Sequence, residues 1–155
     1  MFFRKNFLFL LALVLTTFSL HAKEPNYTIN YIISEAESFI ETTAKSKIGK
    51  KYVWGGNGPF AYDCSGFTKE VFELNGIEIP RNSWKQAEIG KKVSKKNLKK
   101  GDLIFFNSKD HKGVNHVGIY LGGGKFIHAS KFHHRIVISP LREYRRFFKW
   151  GRRLV

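Results

Sequence analysis

The chain changes its hydrophobic rhythm at Gly101, and that change constrains the fold more than any other feature. Before it, apolar residues recur at helical spacing. After it come Asp102–Phe106, His116–Leu121, Lys125–Ala129 and Arg135–Ile138, short β-rich runs separated by turns. Gly122-Gly123-Gly124 is a tight hairpin between the second and third runs. Residues 151–155 make a candidate fifth strand. Helices first and a meander second predict an α+β domain, with N-terminal helices packed on a mostly antiparallel sheet of about five strands.

The helical half has its own punctuation. Ser34-Glu35-Ala36-Glu37 reads as a capping box opening a helix that ends by Gly49, with Ile33, Phe39, Ile40 and Ala44 near one face. Residues 52–62 contain Gly55, Gly56, Gly58 and Pro59 and predict an irregular loop. Asp63 then caps a second helix whose buried side is Phe67, Val71, Phe72 and Leu74, stopped at Asn75-Gly76. Asn82 or Ser83 caps a short third helix running to Gly90.

At 155 residues there is room for one domain. Residues 1–22 have a basic start (Arg4, Lys5), an apolar run from Phe7 to Leu15 and a small residue, Ala22, at the end; this pattern predicts an exported protein with its signal peptide cut after Ala22. Residues 23–33 read as a short leader and 34–155 as the folded domain. The apolar run is short for a membrane span, and no cysteine near the cut offers a lipid site, so no stable membrane anchor is expected. The formal charge is +15, and loss of Arg4 and Lys5 with the signal peptide leaves +13. Such a charge favours a polyanionic partner. The lysine cluster from Lys91 to Lys100 has no interleaved aromatic residue and reads mainly as surface loop.

The single cysteine, Cys64, cannot form an internal disulfide, and it stands at the start of the second helix in Asp63-Cys64-Ser65-Gly66. A thiol attacks carbonyls as thiolate, and its free pKa is ~8.5. A helix start and a nearby imidazolium are both expected to lower that value, and the flanking Asp63, Ser65 and Gly66 argue for an accessible thiol and against a core position. His116 is the candidate base. His128, across the glycine hairpin, is placed to hydrogen-bond the far nitrogen of His116 and fix its tautomer. The backbone amide of Cys64 and the hydroxyl of Tyr52 are the candidate oxyanion donors. A zinc site on Cys64, His116 and His128 ranks below catalysis because no close ligand pair occurs. No metal or cofactor is called for. Trp54 and Phe60 fit either a substrate groove or loop packing. Asp102 reads as fixing the turn after Gly101, and His111, His133 and His134 fall in loops or turns.

Six ordered motifs carry a resemblance over nearly all of the chain after the leader: Tyr52-Val53-Trp54-Gly55-Gly56, Asp63-Cys64-Ser65-Gly66-Phe67, Ile79-Pro80-Arg81-Asn82-Ser83, Gly101-Asp102-Leu103-Ile104-Phe105-Phe106, His116-Val117-Gly118-Ile119-Tyr120-Leu121 and Phe126-Ile127-His128-Ala129. Together they resemble the NlpC-type (p-sixty) family of papain-like cysteine peptidases, which act on peptidoglycan. The resemblance implies Cys64 as nucleophile, His116 as base, His128 as the third member and Tyr52 beside the nucleophile. It places Asp63 and Ser65 where relatives bind the stem peptide's amine or backbone. The implied partners are peptidoglycan stem peptides, met by a monomer in the periplasm or outside the cell; no nucleic acid is expected. The D-glutamyl–diaminopimelate bond and the D-alanyl–diaminopimelate cross-link stay open as targets. Two other readings stand beside this one: an acyltransferase or amidase on the same scaffold, and a non-catalytic cationic protein that binds wall or nucleic acid.

Overall fold

The computed structural model describes residues 25–107 and 113–155. The expected signal peptide and His111 lie outside them. Residues from Ser34 to Val155 form one compact unit, separate from the described residues that precede it. Helix α1 spans Pro25–Lys45, so it begins well before the expected cap at Ser34. A proline suits a first helical position because its missing N–H has no helical acceptor there, and this local signal outweighs the capping box. Ile40 and Ala44 are fully buried, whereas Phe39 is exposed. Among the described residues, no helix is long and apolar enough to cross a membrane.

Helix α2 covers Cys64–Leu74 and buries Phe67, Val71 and Phe72. Leu74, expected on that side, is exposed. Asn75 closes the helix, its side chain donating to the Val71 carbonyl at 2.8 Å. Helix α3 is a single turn, Ser83–Gln86, rather than a helix reaching Gly90, and Asn82 at its cap position makes no side-chain capping bond.

Among the described residues the sheet has eight strands, not five. They are β1 (Lys51–Tyr52), β2 (Ala61–Tyr62), β3 (Lys91–Val93), β4 (Leu103–Phe106), β5 (His116–Gly122), β6 (Lys125–Ser130), β7 (Arg135–Pro140) and β8 (Phe148–Arg153), in spatial order β2-β1-β7-β6-β5-β4-β8-β3. The β1–β2 pair is parallel and the other pairs are antiparallel, so the sheet is mixed. The three unexpected strands have two or three residues each, too few to display a period of two. Two of them lie in the glycine-rich loop and the third in the lysine cluster.

Strand β4 explains how the sheet is covered. All four of its residues are buried. Leu103 and Phe105 join the main core with Phe67, Val71, Val117, Ile119 and Ile127. Ile104 and Phe106 face a smaller cluster with Phe126 and Leu141. At about 25 cal/mol per Å² of apolar area, each such Phe or Ile contributes roughly 1.5–3 kcal/mol. Helix α2 packs across β5 and β6, which carries its first turn to the start of β5. Asp102, 1% exposed, accepts from the Lys99 amide at 2.7 Å and from Arg153 at 2.8 Å, fixing the turn before β4 and tying it to β8.

Candidate active site

The start of α2 is held by a charged network centred on Asp63. One carboxylate oxygen accepts the Gly66 amide at 2.7 Å, the helix cap expected from the sequence. The other accepts the Gly55 amide at 3.0 Å, fastening the glycine loop to the helix. Arg81 grips both oxygens, at 2.9 and 2.7 Å, and also donates to Ser65 Oγ at 2.9 Å and to the Gly56 carbonyl at 3.1 Å. Ser65 Oγ in turn donates to Asp63 at 3.3 Å. A planar guanidinium is the side chain that can satisfy a carboxylate bidentately and still reach two further acceptors.

Gly66 follows from the same geometry. A Cβ there would lie 2.1 Å from the Gly56 carbonyl oxygen, so a side chain would push the loop off the helix. Gln86, fully buried on α3, bonds the Ser65 and Pro80 carbonyls at 3.0 and 2.7 Å and accepts from Thr68 at 2.8 Å.

Cys64 sits in the wall of a cleft of about 440 Å³ together with Trp54, Asp63, Ser65, Arg81 and Trp84. It is only 7% exposed and belongs to the main core, a correction to the expected accessible thiol. The cause is the docking of α2 on the sheet, which draws its first residue inward with Phe67. Burial, then the charge of Asp63, pushes the thiol up to about 11, while the backbone amides of Val117, Ser65 and Cys64 itself act in the opposite direction. The expected lowering by the helix start is therefore outweighed by desolvation. Tyr52 is half-buried, and its phenol is pushed to about 12 by burial, then by the charges of Cys64 and Asp63. It thus lies beside both and stays a donor.

The Val117 amide that faces the thiol belongs to the residue after His116. His116 opens β5, and its Nε2 lies 2.8 Å from His128 Nδ1 with the two rings edge to face at 83°. The two imidazoles thus share a sheet face, as expected. The His116–His128 bond uses Nε2, so Nδ1 is the ring nitrogen outside that bond. Among the described residues no hydrogen bond joins that ring to Cys64; the resting contact of the thiol is the Val117 amide.

His128 is 1% exposed and its Nε2 meets Ser139 Oγ on β7 at 3.1 Å. Phe126 and Tyr144 stand against its ring at centroid distances of 4.6 and 5.4 Å. Burial holds His116 down at about 4, and burial plus the other histidines hold His128 at about 2. Both rings are therefore neutral at physiological pH. For His116 to donate through Nε2 once protonated, His128 must accept at Nδ1 and carry its own hydrogen toward Ser139. Gly118 makes the room: a Cβ there would lie 2.8 Å from the Phe126 ring and 3.1 Å from His128 Cβ.

The sequence singled out Tyr52, Asp63, Cys64, Ser65, His116 and His128, and the fold gathers them around the α2–β5 junction. It missed roles for Arg81, Gln86, Gly118 and Ser139. Arg81 had one visible signal, a cation between a proline and a helix start; Ser139 had none. Trp54 lines the cleft and Phe60 does not, though both are 83% exposed. His133 and His134 lie in the exposed β6–β7 turn.

Comparison with known proteins gives a consistent result. Residues 49–151 match the profile described as the NlpC/P60 family. The γ-D-glutamyl-L-lysine dipeptidyl-peptidase of Bacillus subtilis (strain 168) is 45% identical over 109 residues, 70% of this chain and 36% of that protein. The probable endopeptidase p60 of Listeria innocua serovar 6a is 49% identical over 86 residues, 56% of this chain and 18% of that protein. The chain therefore spans about a third or less of these curated relatives. Among solved structures, the NlpC/p60 domain of the peptidoglycan hydrolase SagA aligns with a TM-score of 0.69 at 34% identity, covering 76% of this chain and 98% of that one. With a cysteine at a capped helix start, a histidine pair on the adjoining sheet and a family profile spanning both, this chain is a member of the NlpC/P60 family.

Proposed function

We propose that this protein is an exported cell-wall peptidase that hydrolyses an amide bond in peptidoglycan stem peptides, with Cys64 as nucleophile, His116 as base and His128 as the residue that orients it. The observation that carries the reading is the junction of α2 and β5. There the thiol lies in the cleft wall against the first peptide of the strand that carries the paired histidines.

The chemistry follows from the neutral resting state. As substrate displaces water, the thiol proton passes to His116 Nδ1 and sulfur attacks the carbonyl carbon. The Cys64 amide and the Tyr52 hydroxyl receive the oxyanion. His116, now cationic, donates through Nε2 to His128 Nδ1 and delivers its other proton to the leaving amine. Water then hydrolyses the thioester with His116 again as base. Asp63, Ser65 and Arg81 form the polar wall for the peptide's amine and backbone, and Trp54 and Trp84 form its aromatic rim.

The names of the Bacillus relatives favour a carbonyl belonging to γ-linked D-glutamate over the D-alanyl cross-link. The test is digestion of purified sacculi by the mature protein, with fragments identified by mass spectrometry. New amines on the diamino acid next to D-glutamate, absent with Cys64→Ala, are expected. Intact muropeptides, or equal cleavage by the variant, contradict the reading.

A further inference from the structure

A second concavity, of about 500 Å³, shares no residue with the catalytic cleft. Its cations come from three elements: Lys91 and Lys92 on β3, Lys96 and Lys99 around the following 3-10 turn (Lys95–Asn97), and Arg153 at the end of β8. Strand β3 is the edge of the sheet, so the groove is open along that side. Asp102 engages Arg153 through both carboxylate oxygens and Glu37 acts on it from a distance; Arg153 is thereby compensated. The lysines are not: all four are exposed, and among the described residues no carboxylate lines the groove. Lys92 lies over the Trp150 ring at 4.7 Å, which leaves Lys91, Lys96 and Lys99 as the freest charges.

A fold that gathers four uncompensated ammonium groups around one depression carries their mutual repulsion unless an anion relieves it. Lys91 and Lys92 lie on the edge strand, and Lys96 and Lys99 lie in and just after the turn that follows it, so the charges are spread over successive elements, which suits an extended anion. No aromatic ring lines the groove, and single-stranded nucleic acids are held largely by stacking on such rings. We infer that this groove is a binding site for a flexible polymer of phosphodiester-linked, base-free units, which holds the enzyme at the wall while the separate cleft cuts peptide. The inference rests on the wall-directed reading for the source of the polymer, and on the groove alone for its chemistry.

The experiment measures binding of the mature protein to poly(glycerol phosphate) as salt is raised, beside Lys91→Gln/Lys96→Gln/Lys99→Gln. A control triple variant of equal charge carries Lys51→Gln/Lys125→Gln/Lys131→Gln. The groove variant is expected to bind at least about tenfold more weakly, with its log–log salt slope reduced by about 2 for three lost contacts. It should cleave soluble stem peptides as wild type does. Equal loss in the control variant overturns the site, as does undiminished binding by the groove variant. Tighter binding to oligothymidylate or to phosphatidylglycerol vesicles overturns the polymer assignment. Polymer binding without any peptide cleavage sinks the catalytic reading but leaves the groove standing.

Discussion

The two halves of the proposed catalytic site are built from opposite materials. The helix half is ionic: Asp63, 7% exposed, is surrounded by Arg81, Ser65 and two backbone amides, and those bonds place the first turn of α2. The sheet half is neutral: two uncharged imidazoles and a serine hydroxyl form a chain, and Phe106, Phe126 and Tyr144 set the ring positions by contact. A nucleophile can be located by strong, directional bonds to its neighbours. A base that must gain and lose a proton is better located by packing, because a fixed countercharge would trap one protonation state.

Substitutions can break this contrast, and the largest effect belongs to the residue where the halves meet. Cys64→Ala should lower peptide cleavage by at least about 10³-fold while leaving the thermal midpoint nearly unchanged, read by product formation and calorimetry. Arg81→Ala comes next and acts on stability. It strands a nearly buried carboxylate and should cost about 3 kcal/mol in denaturant unfolding. Arg81→Lys should recover little, because an ammonium cannot bridge both oxygens.

In the sheet half, Gly118→Ala should press on Phe126 and His128 and cost on the order of 10²-fold in kcat with KM little changed, since it shifts the base and not the cleft. Ser139→Ala leaves the His128 Nε2 hydrogen without its acceptor. It should cost about 1 kcal/mol and roughly tenfold in kcat, with Ser139→Thr restoring most of both.

The smallest effect is that of pH near neutrality. With the thiol held near 11 and His116 near 4, the pair keeps one proton between those values, so kcat/KM should stay level from about pH 6 to 9. It should fall below about 4, where His116 is protonated, and above about 11, where no proton remains for the leaving amine. Limbs drawn in between about pH 6 and 9 would contradict these values. Stability has its own sign. Both histidine values are depressed in the fold, so the unfolded chain takes up protons first, and the thermal midpoint should drop as pH falls from about 6.5 toward 4.

Much of this site was legible in the sequence because its central residues sit at element boundaries. Asp63 announces a cap, Cys64 follows it, and His116 and His128 flank a triple-glycine turn. What was illegible depends on chain segments meeting in space. Arg81 lies 18 residues from Asp63 and Ser139 lies 11 from His128, and neither separation has a period. The burial of Cys64 escaped for the same reason: polar flanks describe the local chain, whereas exposure is decided by the docking of α2 on β5 and β6. Strands β1, β2 and β3 were too short to announce themselves, and β3 brought the lysine cluster into a groove that composition alone reads as loop.

In the proposed reaction sulfur takes up the acyl group, and intact-protein mass spectrometry tests that step directly. Mature wild type is mixed with a stem peptide and quenched in acid within a turnover. The expected result is a mass increase equal to the N-terminal peptide fragment less one water, mapped to Cys64, hydroxylamine-labile and absent from Cys64→Ser. Product released with no adduct on Cys64, or an adduct on any other residue, would contradict it.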